Sequence, residues 1–301
     1  MADKIGSLLK QLGRGKNKSD FKAFAKLLSE IDELGPKALK YKELLNPKHL
    51  SLRVGITGPP GAGKSTLISE MIQHFGNNDL KIGVLAVDPS SPFSNGALLG
   101  DRIRYHEALA NKNVFVRSIG SRGSPGGLSA SSYLMLRAFD VYEFDVVLIE
   151  TVGVGQTELE IMNVADITTV VLVPESGDGI QMMKAGLMEI ADIFVVNKSD
   201  RPGAESLKEE LKQEMHFQDR SGEEGDSKVE IFSTIATQKK GVEELCNFLM
   251  INLRNDELKL KRFSPEKLKA EAKSLLRADF EKKISGKITK VKVPSDLNKL
   301  F

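Results

Sequence analysis

The side chains best placed to do chemistry begin with a glycine-rich run, residues 58–65, that matches the pattern G-x-x-x-x-G-K-[ST]. Glycines let the backbone curl so closely that successive N–H groups face a chain of phosphate oxygens. Lys64 would reach the β- and γ-phosphates, and the Ser65 hydroxyl would bind Mg²⁺. A chance glycine- and proline-rich turn is the alternative, but the apolar segment before the run and the helical pattern after it argue against it. The predicted phosphate-binding residues are Gly58, Pro59, Pro60, Gly61, Ala62, Gly63, Lys64, Ser65 and Thr66.

A second polar group, Asn197–Asp200, directly follows another apolar run. Its place predicts that it lies at the carboxyl end of a strand, where open α/β sheets bind ligands. The Asp200 carboxylate can accept both N1–H and N2–H of guanine, a pair that adenine does not offer. Asn197 can support the base and its loop, and the stem of Lys198 can lie over the ring. This tetrapeptide is weak evidence alone, but with the upstream phosphate loop it favours GTP or GDP over adenine nucleotides.

Three acidic residues and one amide follow apolar runs near the same predicted edge. Glu150 ends a run and precedes Gly153, whose N–H would sense the γ-phosphate. Glu150 would contact Mg²⁺, often through water, or orient the attacking water; the alternative is a glutamate that simply ends a strand. Asp88 and Asp101 are further candidate Mg²⁺ ligands, although either residue, taken alone, would more often be a helix cap or turn residue than a ligand. Glu150, Asp101 and Gln156 all remain candidates for positioning the water.

The elements that must hold these side chains read as a parallel α/β sheet. Seven short apolar runs alternate with helical patterns, and runs that are apolar throughout are typical of strands covered on both faces. The fold class is therefore α/β, with a doubly wound, mostly parallel sheet. A helical N-terminal extension (1–50), the nucleotide-binding domain (51–254) and a C-terminal helical arm (255–301) are predicted. The strands are predicted at residues 53–57, 81–87, 113–119, 144–150, 168–174, 192–197 and 229–233.

Composition argues against several other classes of function. The 301 residues carry 43 Lys and Arg against 41 Asp and Glu, so a formal charge of +2 gives no sign of nucleic acid or membrane as the partner. The single Cys246 excludes a disulfide scaffold and fits a reducing, cytoplasmic location. One Cys and four dispersed His also disfavour a metallochaperone. The Lys-rich tail is expected to be a solvated helix face, with dimer contact as the second interpretation.

Four longer stretches resemble the MeaB/ArgK family, the methylmalonyl-CoA mutase-associated GTPases within the SIMIBI class of P-loop proteins. They are GPPGAGKSTLI, VDPSSPFSNGALLGDRIR, DVVLIETVGVGQTE and PESGDGIQMMKAGLMEIADIFVVNKSD. The resemblance covers roughly residues 20–255. It implies a P-loop GTPase with slow GTP hydrolysis, coupled to adenosylcobalamin delivery to an acyl-CoA mutase and to protection of that enzyme. It also implies a homodimer formed through terminal helices.

The same resemblance assigns roles to individual residues. Lys64 and Ser65 hold phosphate and metal, Asp88, Asp101 and Glu150 form the metal-facing acidic set, and Asn197 and Asp200 bind guanine. The chain departs from the family where Ile235 and Ala236 replace the expected Ser-Ala loop, so only the backbone part of that guanine contact carries over. Three rival functions remain: an arginine/ornithine transport-type kinase, a metallochaperone GTPase, and a nucleotide-gated scaffold with negligible turnover.

Overall fold

The computed structural model describes residues 4–12, 21–88, 105, 111–120, 128–151, 155–174, 186–219 and 229–288. Seven parallel strands form one sheet across these residues, in the order β3-β2-β4-β1-β5-β6-β7. The predicted fold class and all seven predicted strands are confirmed, with strand bounds shifted by at most two residues. The strands are β1 (Leu52–Thr57), β2 (Ile82–Asp88), β3 (Val114–Gly120), β4 (Val146–Thr151), β5 (Ile167–Leu172), β6 (Ile193–Asn197) and β7 (Glu230–Thr234).

Helices flank the sheet, and further helices precede β1 and follow β7 along the chain. The α-helices are α1 (Lys4–Leu12), α2 (Phe21–Leu34), α3 (Lys42–Leu45), α4 (Lys64–Asn77), α5 (Ala130–Val141), α6 (Leu187–Ile190), α7 (Ala204–Asp219), α8 (Val242–Ile251), α9 (Asp256–Leu260) and α10 (Pro265–Ile288). Short 3₁₀ helices cover Gly35–Lys40, Gly155–Asn163, Ala236–Gln238, Asn252–Arg254 and Lys261–Phe263. None of the helices in the described ranges is both long and apolar enough to cross a lipid bilayer.

Two apolar cores lie on opposite faces of the sheet. Helices α4 and α8 cover one face, with Leu67, Leu245 and Leu249 almost fully buried. Helices α2 and α5 cover the other, where Phe24 stacks on Tyr142 with ring centroids 4.5 Å apart. Phe24 is fully buried, as its helical spacing with other apolar residues of the N-terminal extension predicts. The extension is therefore packed onto the sheet through a cluster of aromatic rings.

The C-terminal arm is tied to the amino-terminal end of the sheet by a buried charge cluster. The Arg262 guanidinium donates from Nε to Asp166 Oδ1 at 2.9 Å, from Nη1 to both Asp140 oxygens at 3.2 Å, and from Nη2 to the Ser51 carbonyl at 2.6 Å. Arg53 completes the cluster with a 2.5 Å contact to Asp140. Burial opposes ionisation of Asp140, but the two arginines and the hydrogen bonds from Ser51 together outweigh it and hold the pKa of Asp140 below its usual value.

This cluster corrects part of the expectation for the tail. Arg262 and Lys259 are only 5% and 4% exposed, so this stretch of the tail is not a solvated helix face. Farther along, Lys267 Nζ donates to the Ala165 carbonyl at 2.8 Å. Glu271 pairs with Arg137 of α5 through two contacts of 2.7 and 2.6 Å. Arg262 and Lys267 of the arm thus bind acidic and carbonyl oxygens of the domain beneath them, and Glu271 binds a guanidinium group of that domain.

Replacing Arg262 by alanine is expected to lower the free energy of unfolding by about 3–5 kcal/mol, because Asp140 and Asp166 would be left buried with fewer cationic partners. Urea unfolding followed by circular dichroism measures the change. Arg277→Ala on the same arm is the matched control. Arg277 is paired with Glu281 at the surface, and losing such a pair costs at most about 1 kcal/mol. Equal destabilisation by the two variants would contradict this account of the cluster.

Candidate nucleotide-binding site

The glycine-rich run forms a loop between β1 and α4, and two of its glycines are sterically required. Gly58 has a φ of +134°, and a Cβ there would lie 2.1 Å from the Val171 carbonyl oxygen of β5. Gly63 has a φ of +89°, and its Cβ would lie 2.4 Å from Asn197 Nδ2. Side chains at either position would therefore clash as well as strain the backbone. The loop can approach β5 and β6 this closely only with glycine.

Lys64 places its ammonium group over this loop. Its Nζ donates to the carbonyl oxygens of Gly58 at 2.7 Å and Pro59 at 3.1 Å, and the residue is 8% exposed. A lysine at the first position of α4 adds its charge to the positive end of the helix dipole. The arrangement concentrates positive potential where backbone N–H groups of the loop and the helix start converge, which suits a phosphate chain.

The hydroxyl of Ser65 contacts the acid at the end of the neighbouring strand. Ser65 Oγ donates to Glu150 Oε1 at 2.7 Å, because β1 and β4 are adjacent and Glu150 pairs in register with Ile56. Glu150 is 6% exposed, and its other oxygen accepts a hydrogen bond from the Tyr105 hydroxyl. A hydroxyl and a carboxylate are the hard oxygen donors that Mg²⁺ prefers. This donor set fits Mg²⁺, which binds with one or two carboxylates and otherwise uses phosphate and water oxygens.

Of the other predicted site residues Asp88, Asp101, Gly153 and Gln156, the structure describes only two. Asp88 is the last residue of β2, one position beyond the Val87–Thr151 pair, so its backbone lies at the same sheet edge as Glu150. The backbone of Gln156 lies in the 3₁₀ helix that follows β4. Asp101 and Gly153 lie outside the described residues. Their predicted roles therefore stay predictions.

Asn197 joins the phosphate loop to the loop after β7. Its Nδ2 donates to the Ala62 carbonyl at 2.8 Å, and its Oδ1 accepts from Thr234 Oγ1 at 3.0 Å and from the Ala236 backbone N–H at 3.2 Å. The side chain is 2% exposed and has both of its polar ends engaged. One amide therefore fixes the distance between the loop suited to phosphate and the loop suited to a base.

Lys198 and Asp200 follow in the same turn. Lys198 has a φ of +55°, and its Nζ donates to the Gly61 carbonyl at 2.9 Å, so its stem crosses the mouth of the glycine-rich loop. Asp200 is exposed, and the backbone N–H of Ser199 before it donates to the Thr234 carbonyl at 3.0 Å. The turn thus leaves the Asp200 carboxylate accessible while β7 anchors the backbone beside it.

The sequence prediction missed two polar residues that contact this site. Thr234 is fully buried and donates to Asn197, and its position directly before the Ile235-Ala236 loop is a signal that was available. Tyr105 is also fully buried and donates to Glu150. Nothing in its local pattern distinguishes it from a core tyrosine.

Comparison with known proteins identifies the family. The family described as methylmalonyl Co-A mutase-associated GTPase MeaB matches residues 37–290. A protein of Pyrococcus horikoshii that is named as a GTPase is 40% identical over 291 residues, which are 95% of this chain and 90% of that protein. The GTPase ArgK of Escherichia coli is 35% identical over 198 residues, 65% of this chain and 59% of its own length. A Mus musculus protein named methylmalonic aciduria type A homolog, mitochondrial, is 41% identical over 160 residues, 53% of this chain and 39% of that protein.

Among solved structures, a LAO/AO transport system kinase has the same fold. It aligns with a TM-score of 0.68 and 22% identity, covering 100% of this chain and 97% of its own. The resemblance to the MeaB/ArgK family is confirmed, since the family match spans most of the chain and the Pyrococcus protein is similar almost from end to end. The chain belongs to the MeaB family of methylmalonyl-CoA mutase-associated GTPases and is a P-loop GTPase.

Proposed function

We propose that the protein binds GTP with Mg²⁺ at this sheet edge and hydrolyses it to GDP and phosphate. The observation that carries the proposal is the Asn197 side chain, which links Ala62 of the phosphate loop to Thr234 and Ala236 of the base loop. Asp200 then accepts the two N–H groups of guanine, Lys198 lies over the ring, and Ile235 and Ala236 offer backbone groups. The backbone and side chains of residues 58–66 hold the phosphates.

In the proposed mechanism, water attacks the γ-phosphorus in line with the departing oxygen of the β-phosphate. Lys64 stabilises the charge that develops on the phosphate oxygens, and its carbonyl contacts hold the ammonium in place beforehand. Ser65 and Glu150 would hold Mg²⁺ together with Asp88 and Asp101, and the ion would supply positive charge that offsets the charge of the phosphate oxygens. Glu150, Asp101 and Gln156 are the candidates for orienting the water.

The proposed role of this GTPase is to gate adenosylcobalamin loading of an acyl-CoA mutase, with methylmalonyl-CoA mutase as the first candidate, and to protect that enzyme. The description of the family names an association with methylmalonyl-CoA mutase. The name of the mouse relative refers to methylmalonic aciduria. Both names support a mutase as the partner.

The test is capture of purified methylmalonyl-CoA mutase by the immobilised full-length protein, loaded with GDP or with a non-hydrolysable GTP analogue. We expect capture that differs between the two nucleotides, because a partner that reads the γ-phosphate must prefer one state. Equal capture in the two states would contradict the proposed gating by nucleotide, and no capture would contradict the proposed partner. Neither result would contradict the GTPase activity. Transfer of labelled γ-phosphate to arginine instead of water would favour the transport-kinase alternative.

We further propose that the chain consists of a helical extension (1–50), a GTPase domain (51–254) and a C-terminal arm (255–301). We also propose that the protein is a homodimer and that the arm contributes to the interface. Helix α10 carries large apolar side chains on its outer surface: Leu276 is 72% exposed and Phe280 is 63% exposed. Ile284 continues the row at the same four-residue spacing. A second copy of the chain would remove this surface from water. Sedimentation velocity should therefore give twice the mass of one chain, and the mass of a single 33.0 kDa chain would contradict the dimer.

A further inference from the structure

We propose that Tyr105 is a positioning residue of the nucleotide site and acts through Glu150 on Ser65; this inference rests on the proposed GTP and Mg²⁺ site. Tyr105 is fully buried, and its hydroxyl donates to Glu150 Oε2. The opposite oxygen, Oε1, accepts the Ser65 hydroxyl at 2.7 Å. Three side chains from separate parts of the chain thus form one line of hydrogen bonds that ends at the phosphate loop.

The carboxylate in the middle of this line is almost removed from water. Glu150 is 6% exposed, so few water molecules can replace a protein donor that is lost. Hydrogen bonds to an ionised carboxylate are stronger and shorter than those between neutral groups. With both oxygens engaged, the carboxylate is restrained from rotating about its terminal bond. Tyr105 therefore fixes the direction in which Glu150 presents its other oxygen to Ser65.

The orientation of the Ser65 hydroxyl has a consequence for a metal ion. A hydroxyl has one hydrogen and two acceptor lone pairs. Because Ser65 gives its hydrogen to Glu150, its lone pairs remain available to a cation. If the Tyr105 hydroxyl is removed, Glu150 can turn, and Ser65 is no longer held in that state. Removing the Tyr105 hydroxyl should therefore weaken nucleotide retention only when Mg²⁺ is present.

The variant that isolates the hydroxyl is Tyr105→Phe, which keeps the ring in the apolar core beside α4. Release of a fluorescent GDP analogue is measured with Mg²⁺ and with EDTA. In Mg²⁺ we expect release to be about 10-fold faster than from the wild type, the size expected for one charge-assisted hydrogen bond. In EDTA we expect the two rates to agree. The Mg²⁺ concentration that gives half-maximal GTP hydrolysis should rise by a similar factor.

Two further variants separate positioning from general packing. Tyr142→Phe removes the hydroxyl of another buried tyrosine, in the aromatic cluster on the opposite face of the sheet, and should leave both release rates unchanged. Glu150→Gln should show a Mg²⁺-specific loss at least as large as that of Tyr105→Phe, because Glu150 is itself a proposed Mg²⁺ ligand. If Tyr105 acts through Glu150, the double variant should be no worse than Glu150→Gln alone.

The outcomes distinguish this inference from the proposed function. Equal acceleration in Mg²⁺ and EDTA, wild-type rates in Tyr105→Phe, or additive losses in the double variant would each overturn the role of Tyr105. A wild-type protein that binds guanine nucleotides but shows any of these results would leave the proposed GTP site intact. A wild-type protein that does not retain GDP would overturn both.

Discussion

Replacing Asp200 by asparagine is expected to weaken GDP and GTP binding by about 100- to 1,000-fold, which corresponds to two hydrogen bonds to a charged acceptor. In the proposed site the carboxylate accepts N1–H and N2–H of guanine together. An asparagine keeps one acceptor but turns an N–H group toward the guanine amino group, where two donors oppose each other. Xanthine carries a carbonyl oxygen at that position, so the variant should bind xanthosine diphosphate better than the wild type does.

Competition against a fluorescent guanine nucleotide measures both affinities. Glu205→Gln is the matched control, because Glu205 is an exposed carboxylate five positions farther along, in the first turn of α7. It should leave the affinities for GDP and xanthosine diphosphate unchanged. An Asp200→Asn variant that loses GDP without gaining xanthosine diphosphate would indicate damage to the turn, and one that keeps GDP would exclude Asp200 from base recognition.

Replacing Lys64 by alanine is expected to slow GTP hydrolysis by about 100- to 1,000-fold at saturating GTP, the usual cost of removing one preorganised donor from developing charge. The charge on the phosphate oxygens grows toward the transition state, and two carbonyl contacts hold the Lys64 ammonium over the loop. Nucleotide binding should also weaken. The effect on the rate is separated from binding by a single-turnover measurement with excess protein.

Lys212→Ala on the exposed surface of α7 is the matched control and should hydrolyse GTP at the wild-type rate. The measurement should be repeated with the candidate mutase present, because an intrinsically slow GTPase gives a small signal alone. Hydrolysis by Lys64→Ala within a factor of two of the wild type would contradict the assignment of Lys64. It would also favour the interpretation of the protein as a nucleotide-gated scaffold.

Much of the fold follows from local pattern in the sequence. The five inner strands, β2, β4, β1, β5 and β6, are buried on both faces and therefore appear as continuous apolar runs. The edge strands β3 and β7 are only partly buried, but their bounds are also predicted to within two residues. The phosphate loop is also local, since one short stretch must hold its glycines, lysine and hydroxyl together. At Gly58 and Gly63 any side chain would clash in the structure, and these are the two positions at which the motif requires glycine.

The contacts that the sequence did not predict join residues far apart along the chain. Arg262 in the Lys-rich tail resembles a solvated residue until Asp140 and Asp166 are brought beneath it. Tyr105 is equally unremarkable until β4 places Glu150 beside it. A periodic pattern reports which face of an element is apolar, but it does not report which distant polar group that face meets. The partners of charged and hydroxyl side chains in the core could therefore be identified only from the folded structure.

One site is proposed to hold the triphosphate through the glycine-rich loop and the guanine base through Asp200. Isothermal titration calorimetry of the full chain with GTP and with ATP, each with Mg²⁺, tests it most directly. We expect GTP to bind at least about 100-fold more tightly than ATP, because adenine presents no pair of donors to the carboxylate. Equal affinity for the two nucleotides would show that the base is not recognised in this way and would contradict the proposed site.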